Sequence, residues 1–166
     1  MSIRTLAQDI YKVLEDGKIP EKAVREFSES LAKTLVEKMC EVRKPALRAS
    51  NLGTPDRKLY YEINHPELAT PLDGRALLKF LFGYIIEDLI IFLVKQTGKH
   101  KVTGEQKEVS VYGVLGHKDA NIDGVVVDVK SANSRSYEKF KHHLLESDDP
   151  FGYLTQLSTY LEGSKD

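Results

Sequence analysis

Cysteine is almost absent: Cys40 stands alone in 166 residues, which excludes an intrachain disulfide framework and any four-cysteine zinc or iron-sulfur site. A reducing compartment is the natural expectation. A basic excess is missing too. Lys and Arg number 24 against 25 Asp and Glu, a formal charge of -1, so any polyanion must be met by a local patch. Uninterrupted apolar runs are lacking as well. The N-terminal MSIRTLAQDIY alternates charged and apolar residues and does not read as a secretory signal. The longest apolar stretch, Leu77 to Val94, is interrupted by Lys79, Glu87 and Asp88, and two adjacent carboxylates near mid-bilayer would be costly. With no repeat, low-complexity tract or linker, the expectation is one intracellular, cytoplasmic domain spanning 1–166 with no membrane partner.

A composition of 41% hydrophobic and 30% charged residues is that of a globular chain rather than a disordered one. Ile3, Leu6, Ala7, Ile10, Tyr11 and Leu14 mark one face of a first helix, closed by Gly17. Pro20 opens a second, marked by Val24, Phe27, Leu31, Leu35, Met39 and Val42 and ending before Pro45. The two are expected to form a helical hairpin over 1–45. Residues 50–74 carry Gly53, Pro55, Pro66, Pro71 and Gly74, and read as structured loop with one short strand near Tyr60. Asp73 is a candidate N-cap for a helix to about Gln96, apolar almost all round and so central to the fold, with Gly98 closing it. From Val102 to Ala132 the period becomes two, predicting two or three antiparallel strands. Helices are then expected from Ser136 to about Glu146 and from Pro150 to about Leu161, completing an α/β chain.

The segment GHKDANIDGVVVDVKSA, residues 116–132, holds Asp123-Gly124, the dipeptide favoured in two-residue type I′ hairpin turns. Pairing Ile122 with Val125 sets Asn121 against Val126, Ala120 against Val127, Asp119 against Asp128 and His117 against Lys130. Alternation then puts Asp119, Asn121, Asp128, Lys130 and His117 on a polar face. Ala120, Ile122, Val125, Val127 and Val129 form the apolar one, and Lys118 falls on that apolar side. Opposed carboxylates about 5 Å apart repel unless a proton or cation lies between them. A hard divalent ion such as Mg²⁺ fits, because it takes oxygen ligands, and Lys130 stands where it could orient or deprotonate a water. A merely solvated polar face fits the same residues.

Glu87 is a carboxylate inside the most apolar helix and needs a partner there, either an ion pair or a metal. Gly83, one turn earlier, allows close backbone approach, whereas Asp88 faces elsewhere as a surface or capping residue. Cys40 reads as a small buried residue. Basic clusters occur at Arg43, Lys44, Arg48; Arg57, Lys58; Lys95, Lys99, His100, Lys101; and Lys139, Lys141, His142, His143.

GYIIE (Gly83 to Glu87), GHKD (Gly116 to Asp119), DVK (Asp128 to Lys130) and QLSTY (Gln156 to Tyr160), in that order, resemble the motifs of the PD-(D/E)XK nuclease superfamily, in particular its RecB-like and phage exonuclease branch. The likeness covers roughly residues 75–160, and implies a restriction-endonuclease-like catalytic core over 73–161. It implies that Glu87, Asp119 and Asp128, with the Val129 carbonyl, hold Mg²⁺ or Mn²⁺, and that Lys130 is the catalytic lysine. Gln156 and Tyr160 match the branch's QxxxY pair, expected near DNA phosphate. His117, Lys118, Ser131, Arg57 and Ser50 are placed as further DNA contacts. The acidic position of the acidic-x-Lys motif, Asp128, is Asp rather than Glu, an accepted variant. No phosphate-binding loop accompanies the motifs, so a helicase-nuclease fusion is excluded, as is the iron-sulfur subgroup. The chain stops six residues after Tyr160, which points to a truncated or processed form.

The resemblance implies a DNA exonuclease acting in recombination or repair, phage-encoded sources included. A junction-resolvase-like endonuclease, a catalytically silent DNA-binding module and a protein-interaction role are the alternatives. The oligomeric state, a homo-oligomer among the options, stays open.

Overall fold

The computed structural model describes residues 2–41 and 44–165. Val42 and Arg43, expected at the end of the second helix and in the first basic cluster, lie outside the described residues. Helices α1 (Leu6–Asp16), α2 (Glu21–Cys40), α3 (Asp56–Asn64) and α4 (Gly74–Gln96) come first. Strands β1 (Val102–Thr103), β2 (Lys107–Val111), β3 (Val114–Lys118), β4 (Ala120–Ile122) and β5 (Val125–Val127) follow, then α5 (Ser134–Lys141) and α6 (Tyr153–Glu162). The expected α/β composition, with small antiparallel sheets, is observed. The chain forms two compact units: Met1–Val42, Leu72–Glu105 and Asp119–Ser131 in the first, Arg43–Pro71, Gln106–Lys118 and Ala132–Asp166 in the second.

The first unit is organised on α4. The Asp73 carboxylate accepts the Ala76 N–H at 2.7 Å as N-cap, and the helix stops where Gly98 turns left-handed at φ 61. Helices α1 and α2 each pack on α4 more extensively than on one another, so the expected hairpin is instead two helices laid on a third. The reason lies in the side chains. Phe27 of α2 stacks on Phe92 at 4.4 Å between ring centroids, and Ile10 of α1 joins a core of Ile91, Leu93, Val94, Ala120 and Ile122. Only the C-terminal half of α4 is central in the way its composition predicts. Leu77, Leu78, Phe80 and Phe82 are all about half exposed. Cys40 is exposed rather than buried, because the half-buried stripe of α2 runs through Leu31, Thr34, Leu35 and Lys38 and position 40 falls on the opposite side.

Strands β1, β4 and β5 pair antiparallel in the first unit, with Val102 opposite Ile122 and Ile122 opposite Val125. Strands β2 and β3 form a separate two-stranded sheet in the second unit. Among the described residues the strands therefore number five rather than two or three. The additional hairpin turns at Tyr112 (φ 49) and Gly113 (φ 82), where an aromatic holds a position that usually signals itself with Asn, Asp or Gly.

Within the second unit, the stretch expected to be loop with a strand near Tyr60 contains α3. Pro55 is pre-set for a helix start and accepts the Leu59 N–H at 3.0 Å. Leu59 and Ile63, one turn apart, are the half-buried pair, while Tyr60 and Tyr61 are exposed. Two glycines are needed for close packing. A Cβ on Gly116 would lie 2.7 Å from both Ala49 and Tyr160, and one on Gly53 would lie 2.2 Å from the Gly152 Cα. The helix expected from Ser136 to Glu146 breaks at His143 (φ 54), leaving a short 3-10 turn over Leu144–Glu146.

Candidate active site

The β4–β5 hairpin sets the position of the acidic residues, and its turn is fixed from outside. Asp123 and Gly124 adopt φ 52 and 83, as a type I′ turn requires. The Asp123 carboxylate accepts the Lys101 N–H at 2.9 Å, and its other oxygen meets His100 Nδ1 at 2.7 Å. His100 is buried and reaches Asp9 on α1 through Nε2 at 3.2 Å, while Lys99 also bonds Asp9. An Asp-His-Asp bridge thus ties α1 to the hairpin turn. Sequence reading placed His100 only in a basic cluster, since nothing local relates it to Asp9.

The register derived from Asp123-Gly124 holds for Ala120 with Val127, Asn121 with Val126 and Ile122 with Val125. It does not continue to Asp119 and Asp128. The ladder ends at Val127, and the Asp119 carboxylate takes the place of a strand partner, accepting the Val129 N–H at 2.6 Å. The expected pairing of His117 with Lys130 fails for the same reason. His117 belongs to β3, lies opposite Glu108 and approaches its carboxylate at 3.6 Å from an exposed position. On the hairpin's apolar side, Ala120 and Ile122 are fully buried, but Val125, next to the turn, is 47% exposed.

Glu87, Asp119, Asp128, Val129, Lys130 and Ser131 all belong to the first unit. Asp128 is nearly enclosed and holds the Lys130 ammonium with both oxygens, at 2.7 and 2.9 Å. Glu87, on the half-buried face of α4, hydrogen-bonds Asp119. Burial, reinforced by the charges of Asp119 and Asp88 and opposed by Lys130, pushes the Glu87 carboxyl up to about 8. Burial also raises Asp119, to about 6, with the Asp128 charge adding to the rise and the Val129 N–H and Lys130 opposing it. Burial thus holds both carboxyls of this hydrogen-bonded pair toward the protonated form. Gly83, one turn before Glu87, has the Ser131 hydroxyl 3.8 Å from where a Cβ would stand, so α4 does meet the segment after β5 there.

Asp88 is not the surface residue its helical position suggested. It is half-buried and accepts a hydrogen bond from Thr34, burial raises its carboxyl, and its Oδ2 is enclosed without a hydrogen-bond partner among the described residues.

The remaining expected DNA contacts lie in the second unit. Ser50 and Arg57 are exposed, on a 3-10 turn and in the first turn of α3. Lys118 belongs to β3, outside the β4–β5 register, and is buried rather than exposed to a DNA backbone, donating to the Ser164 hydroxyl at 2.9 Å. Burial, followed by the Lys107 charge, lowers it from the usual lysine range. Gln156 and Tyr160 do share a helix face, but both are buried and bonded to each other, with Gln156 Nε2 donating to the Tyr160 oxygen at 2.7 Å.

Among the described residues, no three His, Cys, Asp or Glu side chains are gathered as a ready metal cage. The carboxylates of the first unit are partly engaged elsewhere, Asp119 by Val129 and Asp128 by Lys130. The donor chemistry is nonetheless all oxygen, and the raised carboxyls of Glu87 and Asp119 are groups at which a small hard cation would compete with protons. No family model matches the chain, and no curated protein or solved structure matches it.

Proposed function

We propose that the protein is a divalent-metal-dependent deoxyribonuclease with a restriction-endonuclease-like core, working on DNA ends in the cytoplasm. The observation that carries this reading is the hydrogen-bonded carboxyl pair Glu87 and Asp119 in the same unit as the Asp128 and Lys130 ion pair. A buried and a half-buried carboxyl both raised by desolvation are unfavourable for folding alone, and such groups cluster at functional sites. The four motifs GYIIE, GHKD, DVK and QLSTY, in order along the chain, supply the reaction class.

Glu87, Asp119 and Asp128, with the Val129 carbonyl, are the residues that would hold Mg²⁺ or Mn²⁺. When bound, the ion supplies Lewis-acid charge at the scissile phosphate and an acidified water. Asp128 aims the Lys130 ammonium, which donates hydrogen bonds to the attacking water or to the charge developing on the phosphate. Asp119 keeps its carboxylate oriented through the Val129 N–H, and α4 carries Glu87 into a partly water-excluded position that strengthens each of these interactions.

Linear and covalently closed circular DNA, each incubated with Mg²⁺, Mn²⁺ or chelator, test the reading. Metal-dependent loss of linear DNA alone supports an exonuclease, and nicking of circles makes it an endonuclease. Failure to cleave either substrate contradicts the assignment as an enzyme.

A further inference from the structure

Among the described residues, two tight hairpin turns of the same type have very different first residues. In the β4–β5 turn, Asp123 takes a left-handed φ of 52 and its side chain repays that conformation with bonds to His100 and Lys101. In the β2–β3 turn, Tyr112 takes φ 49, a conformation that disfavours a bulky aromatic, and its side chain is 100% exposed. Asn would serve that backbone better, and burial of the ring returns nothing. The fold does not account for a tyrosine there.

At the open end of the same hairpin Lys107 lies opposite Lys118, a like-charged cross-strand pair that is unfavourable without a bridging anion. Lys107 is exposed and Lys118 buried. With five residues per strand, the two ends stand roughly 17 Å apart. An exposed ring at one end and excess positive charge at the other are the two parts of a site for single-stranded nucleic acid, in which bases stack on aromatics and the backbone meets cations.

We infer that Tyr112, at the tip of the β2–β3 hairpin, is a stacking platform for an unpaired nucleobase, with Lys107 contacting the phosphate backbone of the same strand a few nucleotides further along. This rests on the nuclease reading, because unpaired nucleotides are what a DNA end offers when it is processed. None of Glu87, Asp119, Asp128 or Lys130 takes part.

The test is titration of the full chain with a fluorescent oligothymidylate carrying phosphorothioate linkages, in Mg²⁺, together with the melting temperature of each variant. Tyr112→Asn should weaken binding roughly tenfold while leaving Tm unchanged or raising it. Lys107→Ala should weaken binding and flatten its salt dependence. The chain has no tryptophan, so Tyr112→Trp installs a single reporter, which should bind like the parent and be quenched as oligonucleotide saturates it. Parental affinity in Tyr112→Asn, or an unquenched tryptophan in a variant that binds normally, overturns the inference and leaves the nuclease reading intact. A parent chain that neither binds this oligonucleotide nor cuts any DNA overturns both.

Discussion

Glu87, from the middle of α4, hydrogen-bonds Asp119, the residue before β4, in a partly buried contact where burial raises both carboxyls. The arrangement makes the metal-free protein prefer mild acid. Both carboxyls bind protons in the folded state at pH values where the unfolded chain has released them, so stability falls as pH rises.

The decline should begin above the ordinary carboxylate range and level off beyond about pH 8, where Glu87 has lost its proton. The opposite sign holds for Asp9. Its carboxyl is held down to about 2, first by the Lys99 hydrogen bond, so its contribution is present near neutrality and disappears only as pH falls toward that value. Denaturant melts across pH with chelator present read both limbs. Glu87→Gln, which mimics the protonated form, should flatten the alkaline decline. An unchanged slope in that variant would show that Glu87 does not titrate as argued.

Asp119 does two jobs that substitutions can separate. Asp119→Asn retains an oxygen for the Val129 N–H and removes a repelling charge, so its metal-free Tm should equal or exceed the parent's. Asp119→Ala orphans that N–H and should cost about 1–3 kcal/mol. Neither should gain the stabilisation by Mn²⁺ that is expected of the parent. A large loss in the Asn variant would mean that the negative charge itself holds the hairpin end.

His100 bridges Asp9 and Asp123 from a buried position. Removing it leaves two carboxylates facing each other at the hairpin turn, so His100→Ala should lose about 2–4 kcal/mol by chemical denaturation. Because the bridge positions the turn that sets β4 against β5, cleavage by the folded fraction should also fall. Full activity per folded molecule would show that the turn holds its register without the bridge.

The bond between Gln156 and Tyr160 is buried, so the pair is also structural. Tyr160→Phe leaves the Gln156 amide without that acceptor and should cost about 1–2 kcal/mol. A double-mutant cycle with Gln156→Ala should give a coupling of about 1 kcal/mol. Independent effects would mean that the bond contributes nothing to stability.

Legibility in the sequence followed the strength of local signals. Asp123-Gly124 gave a register that holds for three residue pairs, and Asp73, Gly17 and Gly98 marked helix ends where they occur. Signals failed where an unusual residue occupied a common conformation. Tyr112 concealed a turn, and Tyr60 and Tyr61 gave a strand-like appearance to α3, whose Pro55 start and Leu59 and Ile63 spacing were the better guide. Non-local relations could not be read. The Asp9 and His100 contact depends on how α1 docks on α4, and the end of the ladder at Val127 depends on Asp119 capturing the Val129 N–H. The acidic residues were found because their chemistry is conspicuous among apolar neighbours, whereas their division into a hydrogen-bonded carboxyl pair and an ion pair needed three dimensions.

The central claim is that the acidic cluster is a divalent-cation site, and calorimetric titration with Mn²⁺ near neutral pH, in buffers of differing ionisation enthalpy, tests it most directly. Saturable binding with release of about one proton is predicted, the proton coming from Glu87 and Asp119. Asp128→Ala should lower the affinity at least roughly tenfold. Lys130→Ala frees both Asp128 oxygens and should keep or tighten binding while abolishing cleavage. Absence of binding heat in the parent, or equal Mn²⁺ affinity in the parent and Asp128→Ala, would contradict the account.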